Sequence, residues 1–228
     1  MKSHLVFILC AFSLVFGQSA NFRYDIYNDS DIHGNVINIS KLSSLWLSDQ
    51  LSTMHNDRQK LIVQFGYSIY SKMINSISWR LPNFKFGIKP TKNLLLSGNF
   101  FGFHLDRDTP QIIGSGIQYN FGENTFWMIS FQKSAINGLY DFRLVSSSYH
   151  IERYFSKSVF DIFIGIGSNS YINKSYYSSI NLPNRIEDDI RYISIKLLFP
   201  FNDIKLGLSS KLNSDLQMFQ MFITKGFL

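Results

Sequence analysis

The sequence predicts an all-β fold for residues 61–228: an antiparallel up-and-down transmembrane β-barrel of about ten strands, with twelve as the alternative. Three observations predict it. The chain opens on a short apolar segment typical of exported proteins. Several later segments alternate between apolar and polar residues, as strands with one apolar face do, and the last segment keeps this alternation almost to the final residue.

Residues 1–17 have the pattern of a cleaved signal peptide. Lys2 supplies a basic start, residues 5–16 are apolar except for Ser13, and the small Gly17 precedes the expected cleavage site. The apolar run is shorter than the roughly 20 residues that a membrane helix needs. We therefore expect Sec-type export with cleavage near Gly17. Cys10 is lost with the signal, so the mature chain would hold no disulfide.

The composition favours strands and gives no sign of nucleic-acid binding. Phe and Tyr number 22 and 12, and such residues are enriched in strands. The net charge of +6 is mild and not clustered, so no nucleic-acid partner is expected. Residues 18–60 have weak periodicity, and the sequence predicts no structure for this N-terminal segment.

Strand-like alternation recurs along the remaining chain. It is clear in residues 61–69, 113–121, 160–166 and 204–208. The polar positions of these segments carry Gly, Ser and Lys, which suit a crowded polar lumen. The predicted strands lie near 61–81, 84–90, 94–105, 111–121, 125–133, 139–155, 158–171, 189–199, 203–212 and 216–227.

Two of these segments need an irregularity. The first is too long, and a turn at 70–72 would split it; a further strand inside 22–60 would then give twelve strands. Within 139–155, Phe142 and Leu144 share one face while Val145, Tyr149 and Ile151 share the other. A bulge at 146–148 would explain that change of register.

Segment length, aromatic residues and turn length favour a membrane barrel over a soluble sheet. Residues 93–105, 111–121 and 158–171 exceed the usual five or six residues of a soluble strand. Turns near 122–124, 156–157 and 200–202 are short and alternate with longer ones, as they do between the two ends of membrane barrels. Aromatic residues beside the short turns resemble an interfacial girdle: Tyr119, Phe121, Phe126, Trp127, Tyr154, Phe155, Phe160, Phe199 and Phe201.

These features together resemble Gram-negative outer-membrane β-barrel proteins as a general class, over residues 61–228. Such proteins usually end in an alternating strand with a terminal Phe that the insertion machinery recognises, and Phe219, Met221, Ile223 and Phe227 supply that face. Lys225 and Leu228 depart from the pattern. No motif narrows the resemblance to one family.

The resemblance implies a bacterial outer-membrane location, with outer-membrane lipid and the barrel-insertion machinery as partners. We expect a non-enzymatic structural or binding role, or a minor pore for small solutes, and no catalytic, cofactor or metal residues. The sequence does not indicate an oligomeric state. Two other readings remain: a barrel hydrolase resembling lipid A deacylases or omptins, and a soluble periplasmic β-sandwich.

One candidate catalytic set lies on a single strand face. Ser148, His150 and Glu152 supply the side-chain types of a nucleophilic triad. Residues two apart on a strand stand about 6.6–7 Å apart, which is long for a Ser–His hydrogen bond. A polar lumen face is therefore the favoured interpretation.

A second candidate set lies at the predicted extracellular rim. His104, Asp106 and Asp108 alternate there, and omptin-type proteases use Asp and His pairs in such a position. The facing acids would be Glu187, Asp188 and Asp189, without a histidine. A solvated loop in which Arg107 balances the acids is the favoured interpretation.

Five lysines fall on the predicted lumen face, and two outcomes follow. An open basic lumen would favour anions, whereas lysines paired with acids of the register-shifted segment 139–155 would plug the interior. Barrels of eight strands are already filled by side chains, so the plugged form is favoured at ten strands. The lysines are Lys85, Lys89, Lys196, Lys205 and Lys211, and Asp161 is the clearest inward acid.

Overall fold

The computed structural model describes residues 19–24, 32–52, 59–74, 77–122, 127–157, 159–177, 183–201 and 204–227. The predicted signal peptide and its cleavage site lie outside these residues. One helix and ten strands are present among them. They are α1 (Ile32–Leu47), β1 (Leu61–Ile74), β2 (Ile77–Ile88), β3 (Leu94–Gly102), β4 (Gln111–Phe121), β5 (Trp127–Asn137), β6 (Phe142–Ser156), β7 (Asp161–Ser175), β8 (Arg185–Phe201), β9 (Ile204–Leu212) and β10 (Gln217–Phe227).

The ten strands form one closed antiparallel barrel in which each strand pairs with its sequence neighbours. β1 and β10 close the ring, in a register that runs from Leu61 opposite Phe227 to Tyr70 opposite Met218. The predicted fold class is confirmed, and a β-sandwich is excluded because closure leaves one continuous sheet. The alternative of twelve strands is wrong, since α1 occupies the region from which a further strand was expected.

The two ends of the barrel differ. We call the end where β1 begins and β10 finishes the terminal end, and the opposite one the loop end. The two longest connections, 103–110 and 176–184, both lie at the loop end. At the terminal end, Gly122 leaves β4 with a φ of 94°, a left-handed conformation that glycine adopts without a steric cost. The predicted short turn therefore starts at this residue.

The outer face of the barrel is a belt of exposed apolar side chains. Ile166 is 61% exposed and Leu206 is 45% exposed, whereas the adjacent inward positions Gly165 and Gly207 are buried. At the terminal end, Tyr119, Trp127 and Phe201 point outward as the predicted girdle requires. Tyr154 does not belong to that girdle, because it faces inward and packs on Phe163 at a ring distance of 5.0 Å.

The predicted bulge at 146–148 is wrong. β6 pairs without interruption with β5 and with β7, so Phe142 and Leu144 simply face inward. An apolar interior at the loop end makes this possible. An irregularity occurs in β1 instead, where the register with β2 shifts between Ile69 and Met73, close to the turn proposed at 70–72. β1 nevertheless continues to Ile74.

The interior of the loop end is a hydrophobic core built around α1. Val36, Ile39, Leu42 and Trp46 of the helix are 0–1% exposed. Inward side chains of the strands enclose them: Tyr70, Trp79, Leu81, Ile112, Ile136, Phe142, Leu144, Tyr171, Ile190, Tyr192 and Met218. Among the described residues, no helix has the length and hydropathy of a membrane span.

A short strap, residues 19–24, covers this core at the loop end. Ser19 and Arg80 exchange two backbone hydrogen bonds of 2.9 and 2.6 Å. Phe22 packs edge-on against Trp79 at 4.9 Å, and Tyr24 stacks on Phe142 at 5.2 Å. The strap therefore fixes the N-terminal region to the barrel wall at the loop end, whereas β1 begins at the terminal end.

Candidate functional site

The candidate site is the lumen, which α1 and residues 48–52 occupy; we call residues 32–52 the inner segment. The helix presents serines toward the strands at intervals of four residues, one helical turn. Asn173 donates to Ser40 Oγ at 2.5 Å, and Asn169 donates to the Ser44 backbone oxygen at 2.9 Å and to its hydroxyl. These contacts fix the rotation of the helix inside the barrel.

Beyond the helix, strand side chains bind the backbone of the inner segment. Gln132 Nε2 donates to the Leu47 carbonyl at 2.7 Å, and Gln118 Nε2 donates to the Leu51 carbonyl at 2.8 Å. The Ser52 amide donates to Gln64 Oε1 at 3.0 Å. Buried carbonyl and amide groups outside regular structure need such partners, so the polar wall stabilises the non-helical residues 48–52 inside the barrel.

A carboxylate of the inner segment lies among the lumen lysines. Asp49 Oδ2 is 3.1 Å from Lys85 Nζ and accepts a 2.9 Å hydrogen bond from Gln220. Lys211 Nζ donates to the neighbouring Ser48 hydroxyl at 2.8 Å. Burial alone would raise the pKa of Asp49, but Lys85 and Lys211 outweigh it and hold this pKa below its usual value.

A second buried ion pair joins two strands. Lys196 Nζ of β8 is 3.2 Å from Glu152 Oε1 of β6, and both side chains are almost fully buried. The expected pairing of lumen lysines with acids is thus confirmed for Lys85 and Lys196, with one correction. The first compensating acid, Asp49, comes from the inner segment, and only Glu152 comes from β6.

The remaining predicted lumen residues are less central. Lys89 is buried just beyond β2, and Lys205 is half-buried at an inward position of β9. Asp161 faces inward as predicted and accepts a 2.8 Å hydrogen bond from the Tyr154 hydroxyl.

His150 links the inner segment to two strands. Its Nδ1 is 3.0 Å from Gln50 Oε1 and 3.4 Å from Glu152 Oε1, and its Nε2 is 2.7 Å from Ser194 Oγ. Both partners of Nδ1 are acceptors, so that nitrogen carries the proton and the Ser194 hydroxyl donates to Nε2. Ser130 also donates to Gln50 Oε1 at 2.7 Å.

The structure changes the membership of the predicted Ser–His–Glu set. His150 and Glu152 do contact, but the serine is Ser194 of β8, whereas the hydroxyl of Ser148 has no hydrogen-bond partner among the described residues. Ser194, His150 and Glu152 are 3%, 6% and 1% exposed, and Gln50 covers the imidazole. The arrangement binds the inner segment and leaves no space for a substrate beside the hydroxyl.

The predicted rim set is dispersed in the structure. Asp108 is buried, accepts a 2.8 Å hydrogen bond from the Tyr140 amide and lies 3.7 Å from Arg23 of the strap. Burial raises its pKa above the usual value despite these contacts. His104 and Asp106 are exposed on the same connection.

The acids on the facing strand, β8, serve separate ion pairs. Glu187 pairs with Arg185, and Asp188 Oδ2 is 3.4 Å from Lys41 Nζ of α1. No cluster of three metal-ligating side chains occurs among the described residues. The rim therefore fixes the strap and the helix to the barrel wall.

Asp49, Gln50 and Ser194 are among the lumen residues that the sequence did not predict. Asp49 and Gln50 lie in a segment without strand periodicity, and Ser194 lies on a strand two positions from the predicted Lys196. A helical signal was present, since Val36, Ile39, Leu42 and Trp46 recur at intervals of three and four residues.

Several solved structures share the barrel architecture. The translocator domain of the autotransporter NalP from Neisseria meningitidis aligns with a TM-score of 0.41 at 9% identity, over 86% of this chain and 98% of that one. The Yersinia pestis outer membrane protein Ail aligns with a TM-score of 0.37 at 12% identity, over 75% and 100% of the two chains. The Ralstonia pickettii toluene transporter TbuX aligns with a TM-score of 0.35 at 9% identity, over 81% of this chain and 94% of that one.

The sequence matches no protein-family model and no curated protein. At these identities the likeness extends to the fold alone. The predicted general class, an outer-membrane-type β-barrel, agrees with the closed ten-stranded architecture.

Proposed function

We propose that the chain is a bacterial outer-membrane β-barrel whose own N-terminal region closes the lumen, with a non-enzymatic structural or binding role. One observation carries the proposal. An apolar belt covers the outside of a closed barrel, while the inside, apolar around α1 and polar beyond it, is filled by the inner segment. A closed barrel satisfies every strand edge, which is what a lipid environment requires.

The membrane location rests on the exposed apolar face. Ile113, Ile166 and Ile193 are each more than half exposed, and similar side chains surround the barrel. A soluble protein rarely exposes so large an apolar surface, because its contact with water is unfavourable. Lipid would cover this belt.

The orientation rests on the connections between strands. Outer-membrane barrels have short periplasmic turns and longer extracellular loops. The long connections 103–110 and 176–184 therefore support an orientation with the loop end outside the cell and the terminal end in the periplasm. The strap would then cover the extracellular mouth of the lumen.

A permanently open pore is disfavoured by the contents of the lumen. Lys85, Lys196 and Lys211 are each about 95% buried and are compensated by groups inside the barrel. A passage for solutes would require the inner segment to leave these partners. We therefore propose a barrel that is closed in its resting state.

Fractionation and conductance test the proposal. The protein should fractionate with the outer membrane, migrate differently on gels before and after heating, and stay silent in planar bilayers. Asp49→Lys with Gln50→Lys adds two cations beside Lys85 and Lys211. This double variant should release the inner segment and pass anions in preference to cations. Steady conductance of the unmodified protein would contradict closure, and recovery in the soluble periplasmic fraction would contradict the membrane location.

A further inference from the structure

A long apolar groove crosses the outer face of the barrel. It has a volume of about 1090 Å³ and extends across β4 to β9. Ile117, Phe131 and Tyr149 stand directly opposite one another on β4, β5 and β6 and line its side nearer β4. The same cross-strand row continues through Ser168 to Arg191 on β8.

The row gives the groove a length and a polar side. Four strand spacings of about 4.8 Å separate Ile117 from Arg191, which makes about 19 Å. Asn213 and Ser214 line the groove next to Arg191, and the side-chain Nδ2 of Asn213 donates to the Arg191 carbonyl at 2.7 Å. The groove therefore has an apolar body and a cationic, hydrogen-bonding side toward the loop end.

Unpaired cations lie on the same outer face. Lys133, Arg143, Lys174 and Arg191 occupy outward positions on four consecutive strands, β5 to β8, and all four are exposed. None of the four has an ion pair with an acid among the described residues.

The pairing register brings some of these charges close together. Arg143 is directly opposite Lys174, and Lys174 is directly opposite Arg185. Like charges at opposed positions destabilise a sheet. Glu187 pairs with Arg185, and Asp189 is the other outward acid on β8. The Arg185–Glu187 pair is neutral, so the four unpaired cations face one remaining acid, Asp189. This face therefore carries a net charge of about +3, which an external anion could compensate.

We propose that this face binds a phosphorylated glycolipid of the outer leaflet, of the lipid A type. One acyl chain would lie in the groove, a phosphate would bind Arg191, and further phosphates would bind Arg143 and Lys174. Guanidinium groups bind phosphate oxygens through two parallel hydrogen bonds, which favours arginine at such positions.

The choice of lipid rests on the proposed function, because the loop end faces the outer leaflet only in the proposed orientation. Several phosphates on one lipid suit cations that are spread over neighbouring strands. A phospholipid with one phosphate would bind Arg191 and leave the repulsion between Arg143 and Lys174 without a compensating anion. Preference for the multiply phosphorylated lipid is therefore the property to test.

The test compares three proteins in detergent: the unmodified chain, the triple variant Arg143→Ser with Lys174→Ser and Arg191→Ser, and the control Arg153→Ser. Arg153 is also an outward arginine of β6, but it lies toward the terminal end. Each protein is titrated with lipid A, with dephosphorylated lipid A and with phosphatidylglycerol, and bound lipid is counted by native mass spectrometry.

The unmodified chain and Arg153→Ser should retain lipid A more tightly than the other two lipids. The triple variant should weaken retention of lipid A by about tenfold or more, because it removes the charged donors that would bind the phosphates. Equal retention of phosphatidylglycerol or of dephosphorylated lipid A by the unmodified chain would overturn the proposal, as would tight binding of lipid A by the triple variant. Heat-modifiable migration, measured on every variant, shows that the barrel is folded. If the unmodified chain showed no heat-modifiable migration, or did not fractionate with the outer membrane, the proposed function itself would be wrong. That outcome is distinct from a folded outer-membrane barrel that does not prefer lipid A.

Discussion

Asp49 of the inner segment lies 3.1 Å from Lys85 of β2, with both side chains 4% exposed. This pair joins a chain segment without regular structure to the barrel wall. Removal of one partner from a buried ion pair leaves an uncompensated charge, which is why such a loss is costly. The pair is therefore a sensitive reporter of whether the inner segment is docked.

Asp49→Asn should destabilise the folded protein by about 3–5 kcal/mol, because Lys85 and Lys211 would lose their carboxylate. Urea unfolding in lipid vesicles measures the change. Asp161→Asn is the matched control. Asp161 is also an inward, buried acid, but its hydrogen-bond partner is the neutral Tyr154 hydroxyl, so about 0.5–1.5 kcal/mol is expected. Equal losses would show that Asp49 has no special role.

The stabilisation by Asp49 should depend on pH in one direction. Its pKa is lower in the folded protein than the ordinary 3.8. The contribution is therefore complete above pH 3.8 and is lost as the pH falls through the folded value. The gap in urea midpoint between the unmodified chain and Asp49→Asn should stay constant from pH 7 to about pH 5 and close below about pH 3.8. A gap that widened on acidification would contradict this sign.

Leu206→Arg should cost about 2–4 kcal/mol in lipid vesicles, because Leu206 points outward from β9 into the apolar belt. Lys205→Ala, on the adjacent inward position, should cost much less. If both substitutions were equally mild, the assignment of the two faces would be wrong.

Ser44→Cys combined with Asn169→Cys should form a disulfide, since these side chains are in contact across the lumen. The bond would appear as a shift in gel migration that reducing agent reverses. Ser44→Cys with Ser170→Cys is the control, because Ser170 lies on the opposite face of the same strand. Cross-linking of the control pair but not the first would place the helix outside the barrel.

His150→Ala and Ser194→Ala should leave lipid A acylation in the host membrane unchanged, because the two side chains bind each other and the inner segment inside the barrel. Mass spectra of extracted lipid A provide the measurement. Accumulation of a more highly acylated species in either variant would support the hydrolase alternative.

The sequence predicted the strands well where one face meets lipid. The bounds 111–121 agree with β4, and 203–212 differs from β9 by one residue, because both strands alternate cleanly. β6 was misinterpreted, since Phe142 and Leu144 contact an apolar helix that strand periodicity does not reveal.

The inner segment could not be found by the same reasoning. α1 is buried from Ile39 to Leu47 apart from Lys41, so its serines are as buried as its leucines and no continuous polar face marks it as a surface helix. Serine is also a weak helix former. The exchange of Ser148 for Ser194 beside His150 has a similar cause, because contacts across three strands depend on register and not on spacing along one strand.

The path of the N-terminal region imposes an order on folding. The strap is attached to the barrel wall at the loop end, whereas Leu51 packs with Ile62 and Leu95 near the terminal end. The inner segment therefore passes through the barrel from one end to the other. A helix that carries Trp46 cannot easily be drawn into a ring already closed. We therefore expect the ring to close around a helix that is already in place, and the seam between β1 and β10, the paired strands farthest apart in the sequence, to form last.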